Sequence, residues 1–231
     1  MCGRFSIHAV LPEILARFNA VNSGYEWMPR YNCSPGQFLP IIVESESGNN
    51  QFEFVLAKWG LIPSWAKSDF KANLFNARSE SLLEKNSFRS SFKHRRCLVP
   101  ADSFFEWKTV GNEKFPFRFF LKKQKIFAFA GLYSEWVSAD GSAIISFTIC
   151  TTSPNKLMKN YHDRMPVILE EKNEKIWLNS KSELSTLNSI LDPFDSSKMD
   201  VYEVSRLINS PANNSDEVIR PFSHDKQTTL F

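Results

Sequence analysis

The chain has 231 residues, 42% hydrophobic and 14% aromatic, with 21 Phe and 6 Trp against 8 Gly. That is enough apolar material for one well-filled core, and it excludes a disordered, collagen-like or repetitive chain. Its 28 Lys and Arg against 25 Asp and Glu leave a net charge of +3, too small to announce a nucleic-acid partner unless the cations gather on one face.

In chain order, residues 4–7 read as a strand, and Leu11, Ile14, Leu15 and Phe18 fall at helical spacing within residues 11–20, with Pro12 acceptable in a first turn. Strands are expected at residues 38–43, 52–59, 117–121, 126–133 and 144–151; in the second of these Phe52, Phe54 and Leu56 alternate with Glu53 and Val55. Several are continuous apolar runs, suited to strands buried on both faces. Helical patterns are confined to residues 79–92, 170–179 and 182–191. The expected class is α+β, with a large, mostly antiparallel sheet curled towards a barrel and peripheral helices. One domain is expected over residues 1–210, and the Ser, Asn, Asp and Pro that accumulate after Asn209 make 211–231 a C-terminal tail.

The four cysteines, Cys2, Cys33, Cys97 and Cys150, sit far apart, with no C-x-x-C pair and no neighbouring His set at metal-ligand spacing, which argues against a zinc site or disulfide framework and for a reducing compartment. The chain does not open with a basic stretch followed by an apolar run, and no run of about 18 uncharged apolar residues occurs, so a cytoplasmic protein without a membrane span is expected.

Cys2 follows the initiator Met and is small enough for methionine removal, which would leave an α-amine and a thiol on adjacent carbons. The amine titrates near ~8 and the thiol near ~8.5. Unprotonated amine can attack an aldehyde, and the thiol can close the resulting imine into a thiazolidine, both nucleophiles being held on one residue. A cysteine at position 2 carries little by itself. Three segments strengthen it: Asn76-Ala77-Arg78-Ser79-Glu80, Phe104-Phe105-Glu106-Trp107, and Tyr161-His162-Asp163-Arg164-Met165-Pro166. Glu106 sits between bulky aromatics, where desolvation raises a carboxyl pKa and suits it to proton shuttling; the alternative is a strand glutamate facing solvent.

M-C-G-R-F at the start, N-x-x-P-G at 32–36, W-G-L-I-P-x-W at 59–65, N-A-R-x-E, F-E-W and H-x-R-M-P run in order to about residue 168. Together they resemble the SRAP family, the SOS-response-associated proteins that shield abasic sites in single-stranded DNA. The resemblance implies the ring-opened aldehyde of an abasic deoxyribose as substrate and a covalent DNA–protein crosslink as product, with no metal or cofactor. His162 would then supply a proton to the sugar-ring oxygen, and Asn76 would orient the Cys2 amine or the deoxyribose. Arg4 and Arg78 look like phosphate clamps, with Arg89, Arg96 and Arg164 as weaker candidates for the same groove. Trp65 and Pro35 would stack on or wedge between splayed bases. Cys33, Cys97 and Cys150 are read as inert core thiols, His8, His94 and His224 as structural, and Asp163 as orienting its loop. Asp102-Ser103 and Asn86 depart from the family pattern, which puts the non-catalytic DNA contacts in question.

The terminal Gln227-Thr228-Thr229-Leu230-Phe231 is similar to the Q-x-x-L-F peptides that dock on the bacterial polymerase sliding clamp, so Gln227, Leu230 and Phe231 are candidate clamp contacts. The expected protein is a bacterial monomer at the nucleoid or replication fork. Two other functions stay open. One is a thiol autopeptidase in which Cys2, Glu106 and His162 remove the chain's own N-terminus; the other is a non-covalent single-strand binding module in which Cys2 is incidental.

Overall fold

The apolar runs become strands in the computed structural model, which describes residues 2–45, 51–67, 70 and 73–223. The elements are β1 (Phe5–Ile7), α1 (Leu11–Phe18), β2 (Ala20–Asn22), β3 (Arg30–Cys33), β4 (Phe38–Glu44), β5 (Phe52–Trp59), β6 (Asn76–Arg78), α2 (Asn86–His94), β7 (Arg96–Ala101), β8 (Ser103–Val110), β9 (Glu113–Leu121), β10 (Phe127–Val137), β11 (Ala143–Thr152), β12 (Met165–Pro166), β13 (Ile168–Leu169), α3 (Glu171–Leu178), α4 (Leu184–Ser189) and β14 (Met199–Glu203). Strands β11, β10, β7, β4 and β5 pair in that order, and β5 returns to β11 through parallel Lys58–Ser146 and Trp59–Phe147 partners, closing a five-strand barrel. Closure explains the continuous runs: Phe127, Ala128, Phe129 and Ala130 are all buried because both faces of β10 are covered. Gly131 continues β10 without a side chain, since a Cβ there would lie 2.8 Å from both Cys97 Sγ and Val99 Cγ2.

A second, antiparallel sheet has the order β14-β9-β8-β1-β3. Aromatic rings join it to the barrel. Phe5 of β1 meets Trp59 and Phe129 at centroid distances of 5.1 and 5.8 Å, and Phe104 of β8 stacks on Phe119 at 5.1 Å and meets Phe129 at 6.1 Å. Each buried Phe contributes roughly 1.5–3 kcal/mol by area. The seam therefore fixes β1 and β8, the two strands nearest the candidate site.

The expected fold class is the observed one, but several elements differ. Strands β7 and β8 lie where Pro100 and the polar Asp102-Ser103 mask a strand pattern; Asp102 and Ser103 are buried and satisfied by Ser6 Oγ, with His8 N–H donating to Asp102 Oδ2 at 2.6 Å. The helix expected at 79–92 is instead a 3-10 turn at Ser79–Ser81 followed by α2, because Lys85 is extended at ψ 122°. The helix expected at 182–191 shortens to α4. Beyond residue 211 the chain stays packed as far as Phe222. Asn214 Oδ1 accepts from Tyr31 N–H at 2.9 Å, Val218 joins Phe105, Val204 and Ile208 in a second apolar cluster, and Phe222 N–H donates to Glu203 O at 2.8 Å. One anchoring valine inside a polar stretch is invisible to composition. Among the described residues, no helix is long and apolar enough to cross a membrane.

Candidate active site

The pairing of β1 with β8 brings the start of the chain to Glu106. Phe5 lies opposite Phe104, and Phe105 N–H donates to Arg4 O at 2.9 Å, so the same register carried back sets Gly3 opposite Glu106. Cys2, one residue earlier, is fully buried. Asn76 opens β6, which is held on β11 by the Ile149–Asn76 partnership, and its Nδ2 donates to Cys2 O at 2.8 Å. Asn76 Oδ1 is buried and has no hydrogen-bond partner among the described residues, leaving an acceptor beside Cys2. Burial pushes the Cys2 thiol well above its ordinary range, and the Glu106 charge pushes it further. Both effects favour the protonated thiol relative to the ordinary titration near ~8.5, so a base that takes its proton assists attack by sulfur.

Glu106 is 4% exposed, on the β8 face opposite to Phe105 and Trp107, which pack on Val204, Ile208 and Val218. Burial raises its carboxyl above the usual range, while the positive charge of His162 opposes the rise. His162 follows the 3-10 turn Met158–Asn160 and is about 29% exposed. Its loop is braced by Tyr161, whose ring meets Phe117 and Phe119 at 4.8 and 5.0 Å. His162 Nδ1 accepts from Arg164 N–H at 3.0 Å and lies 2.8 Å from Asp163 Oδ1. His162 Nδ1 is thus held between a backbone N–H and a carboxylate, to which it donates when it carries a proton.

Residues 1–211 match the family model described as SOS response associated peptidase (SRAP). The chain belongs to the SRAP family. It is 45% identical over 225 residues to the abasic site processing protein YoqW of Bacillus subtilis (strain 168), covering 95% of this chain and 99% of that protein. It is 42% identical over 230 residues to the abasic site processing protein YoaM of the same organism, covering 97% and 100%. A crystal structure of a protein from Bacteroides thetaiotaomicron shares 30% identity and a TM-score of 0.88, covering 96% of this chain and all of that one.

Within this SRAP fold the expected strand-contact residues separate. Arg78 is exposed at the end of β6, and Pro35 is exposed in a turn where Gly36, at φ +90°, needs to be glycine. Trp65 is 59% exposed, its ring 6.0 Å from Phe70. Trp65, Asn86, Arg89, Ser90, Lys93 and His94 line an open groove of about 560 Å³. Lys93 was not anticipated, although its spacing of four from Arg89 on the outer face of α2 signals it. Arg89 is preorganised by donating to Leu83 O at 2.6 Å and Glu84 O at 3.0 Å.

Three arginines are engaged by the protein itself, wholly or in part. Arg4 is half-buried, with NH1 given to Asn32 Oδ1 at 2.7 Å and Ile208 O at 3.0 Å, so part of its fork ties β3 to the 3-10 turn Arg206–Asn209. Arg96 is 3% exposed and donates to Phe92, Lys93, Trp177 and Asn179 carbonyls at 2.6–2.7 Å, which removes it from any groove. Arg164 forms a two-pronged ion pair with Glu80. His8 stacks on Tyr31 and pairs with Asp102, while Cys33, Cys97 and Cys150 are buried free thiols. Among the described residues, no group of three or more His, Cys, Asp or Glu could hold a metal. Gln227, Leu230, Phe231 and His224 lie outside the described residues.

Proposed function

We propose that this chain captures abasic sites in single-stranded DNA by condensing the Cys2 aminothiol with the deoxyribose aldehyde. The observation that carries the reading is the convergence on Cys2: Asn76 holds its carbonyl, the Glu106 charge acts on its thiol, and the His162 charge acts on Glu106. The printed names of YoqW and YoaM, abasic site processing proteins, support the substrate class.

Hydrolysis of the Met1–Cys2 bond frees the amine. His162 Nε2–H protonates the furanose oxygen as its bond to C1′ breaks and the C1′ hydroxyl loses its proton, leaving the aldehyde. The amine adds to C1′, a proton passes from nitrogen to oxygen, and the carbinolamine loses water to give an imine. Sulfur then adds to the imine carbon, its proton passing through the Glu106 carboxylate to the nitrogen. The balance is aldehyde plus aminothiol giving thiazolidine plus one water, and reversal follows the same path. With the carbonyl masked, strand cleavage by β-elimination loses its driving acidity at C2′. Arg78, Arg89 and Trp65, with Pro35 and the remaining donors of Arg4, would hold the flanking strand through phosphate contacts and base stacking.

The test is incubation of the chain lacking Met1 with a single-stranded oligonucleotide carrying one abasic site. A denaturation-resistant adduct should form and be abolished by Cys2→Ala; an adduct that survives the substitution sinks the mechanism. We assign Gln227, Leu230 and Phe231 to docking on the bacterial polymerase sliding clamp, which fits a cytoplasmic, fork-associated monomer. Calorimetric clamp binding should vanish when residues 227–231 are deleted, and unchanged binding removes that assignment.

A further inference from the structure

Asn32 is fully buried, and its amide fits its surroundings in one orientation only. Its Nδ2 faces three backbone carbonyls, Ile208 O at 3.3 Å, Ser210 O at 2.9 Å and Asn213 O at 2.8 Å, which can only accept. Its Oδ1 faces Arg4 NH1 at 2.7 Å, which can only donate. Exchanging oxygen and nitrogen would set donor against donor and acceptor against acceptors. The backbone is held as well: Asn32 N–H and Tyr31 N–H donate to Asn214 Oδ1 at 3.3 and 2.9 Å. Arg4 NH1 has a second acceptor in Ile208 O at 3.0 Å, so both of its protons are committed. Arg4 Nε is buried without a hydrogen-bond partner, and among the described residues NH2 has no acceptor. At the backbone end, Arg4 O accepts from Phe105 N–H at 2.9 Å, one residue before Glu106.

We propose that Asn32 is a positioning residue for strand binding: it pins Arg4 through NH1, so that the NH2 side of the guanidinium, with its unpartnered Nε, is kept for one phosphate of the single strand. The proposal rests on the strand contacts of the capture reading above and names what aims one of them. A free arginine side chain loses rotamer freedom when it meets a phosphate, and a fork already held in place loses less. Asn32 also ties that contact to the C-terminal part of the chain, because its three carbonyl partners lie in residues 208–213, on the far side of the sequence. It opens the N-x-x-P-G run as well, so the same residue anchors the start of the turn that carries Pro35, a turn held at its other end by Gly36 N–H donating to Trp59 O at 2.7 Å.

Asn32→Leu keeps the size and removes both polar groups. In anisotropy titrations with an intact single-stranded oligonucleotide it should weaken binding about fivefold in the parent chain and less than about twofold in the Arg4→Ala chain, because its effect passes through Arg4. A merely structural role would weaken both backgrounds equally; that result overturns the proposal, as does an unchanged affinity in the parent. Arg4→Lys tests the same point without touching the buried amide, since a single ammonium keeps the charge but cannot hold Asn32 and a phosphate through separate amino groups. It should bind the strand as weakly as Arg4→Ala, and parental affinity in Arg4→Lys overturns the proposal even where Asn32→Leu fails to fold. An Arg4→Ala chain that binds like the parent removes Arg4 from the strand and the proposal with it. Capture is judged separately, by adduct formation on an abasic strand: a parent that binds the intact strand but forms no adduct overturns the capture reading, and the affinity cycle still decides the task of Asn32.

Discussion

Burial raises the Glu106 carboxyl while the His162 charge opposes the rise, so the residue that suits proton transfer is also one the fold holds at a cost. A carboxyl raised in the folded state contributes its full stability below the unfolded value of about 4.3 and loses it as pH climbs through the raised value. Glu106→Gln should therefore melt higher than the parent at neutral pH, with the difference shrinking towards pH ~4, and thermal melts across that range check the sign. The same variant should form adduct at least ~100-fold more slowly in single-turnover assays, because the base for the buried thiol is gone. Cys2, Asn76, Glu106 and His162 stand out in the sequence because each sits in a short motif, and the fold brings Asn76 onto Cys2 O; their proposed roles rest on the resemblance. The internal partners of Arg96 and Arg164 do not stand out, because they lie 81 and 84 positions away and a guanidinium reads alike whether it meets phosphate, carboxylate or carbonyl.

Among the elements, α2 and α3 both end on one side chain. Arg96 donates to Phe92 and Lys93 at the end of α2 and to Trp177 and Asn179 at the end of α3, a cation shared between two helix C-termini. Arg96→Met should lower unfolding free energy by about 3 kcal/mol in denaturant titrations, since it orphans several buried carbonyls. Strand affinity per folded molecule should not change. Strands β4, β5, β10 and β11 were legible from their apolar runs. The closure of β5 onto β11 was not, because residues 58–59 and 146–147 meet through the tertiary fold with no local signal. The 79–92 pattern misled for a related reason: Leu82, Phe88 and Phe92 are all buried, but only Phe88 and Phe92 share a helix face, and the extended Lys85 puts Leu82 on a separate turn.

For the molecule as a whole, the balance of +3 left open whether cations gather. Five arginines near the motifs suggested a basic groove, yet Arg96 is internal, Arg164 is paired and Arg4 is partly committed. Near the motifs the exposed cations include Arg78 and, on the α2 face beside Trp65, Arg89 and Lys93. Strand binding should thus depend on salt with a modest slope, and Arg78→Ala and Arg89→Ala should each flatten the log–log slope by about 0.7 in anisotropy titrations. A slope unchanged by both would show that the strand runs elsewhere. Intact-mass spectrometry of the adduct formed on an abasic single strand tests capture at Cys2 most directly. The predicted mass is that of the chain without Met1 plus the strand minus one water, formed without reductant and mapped to Cys2; an adduct that retains Met1, or appears only when borohydride traps an imine, contradicts it.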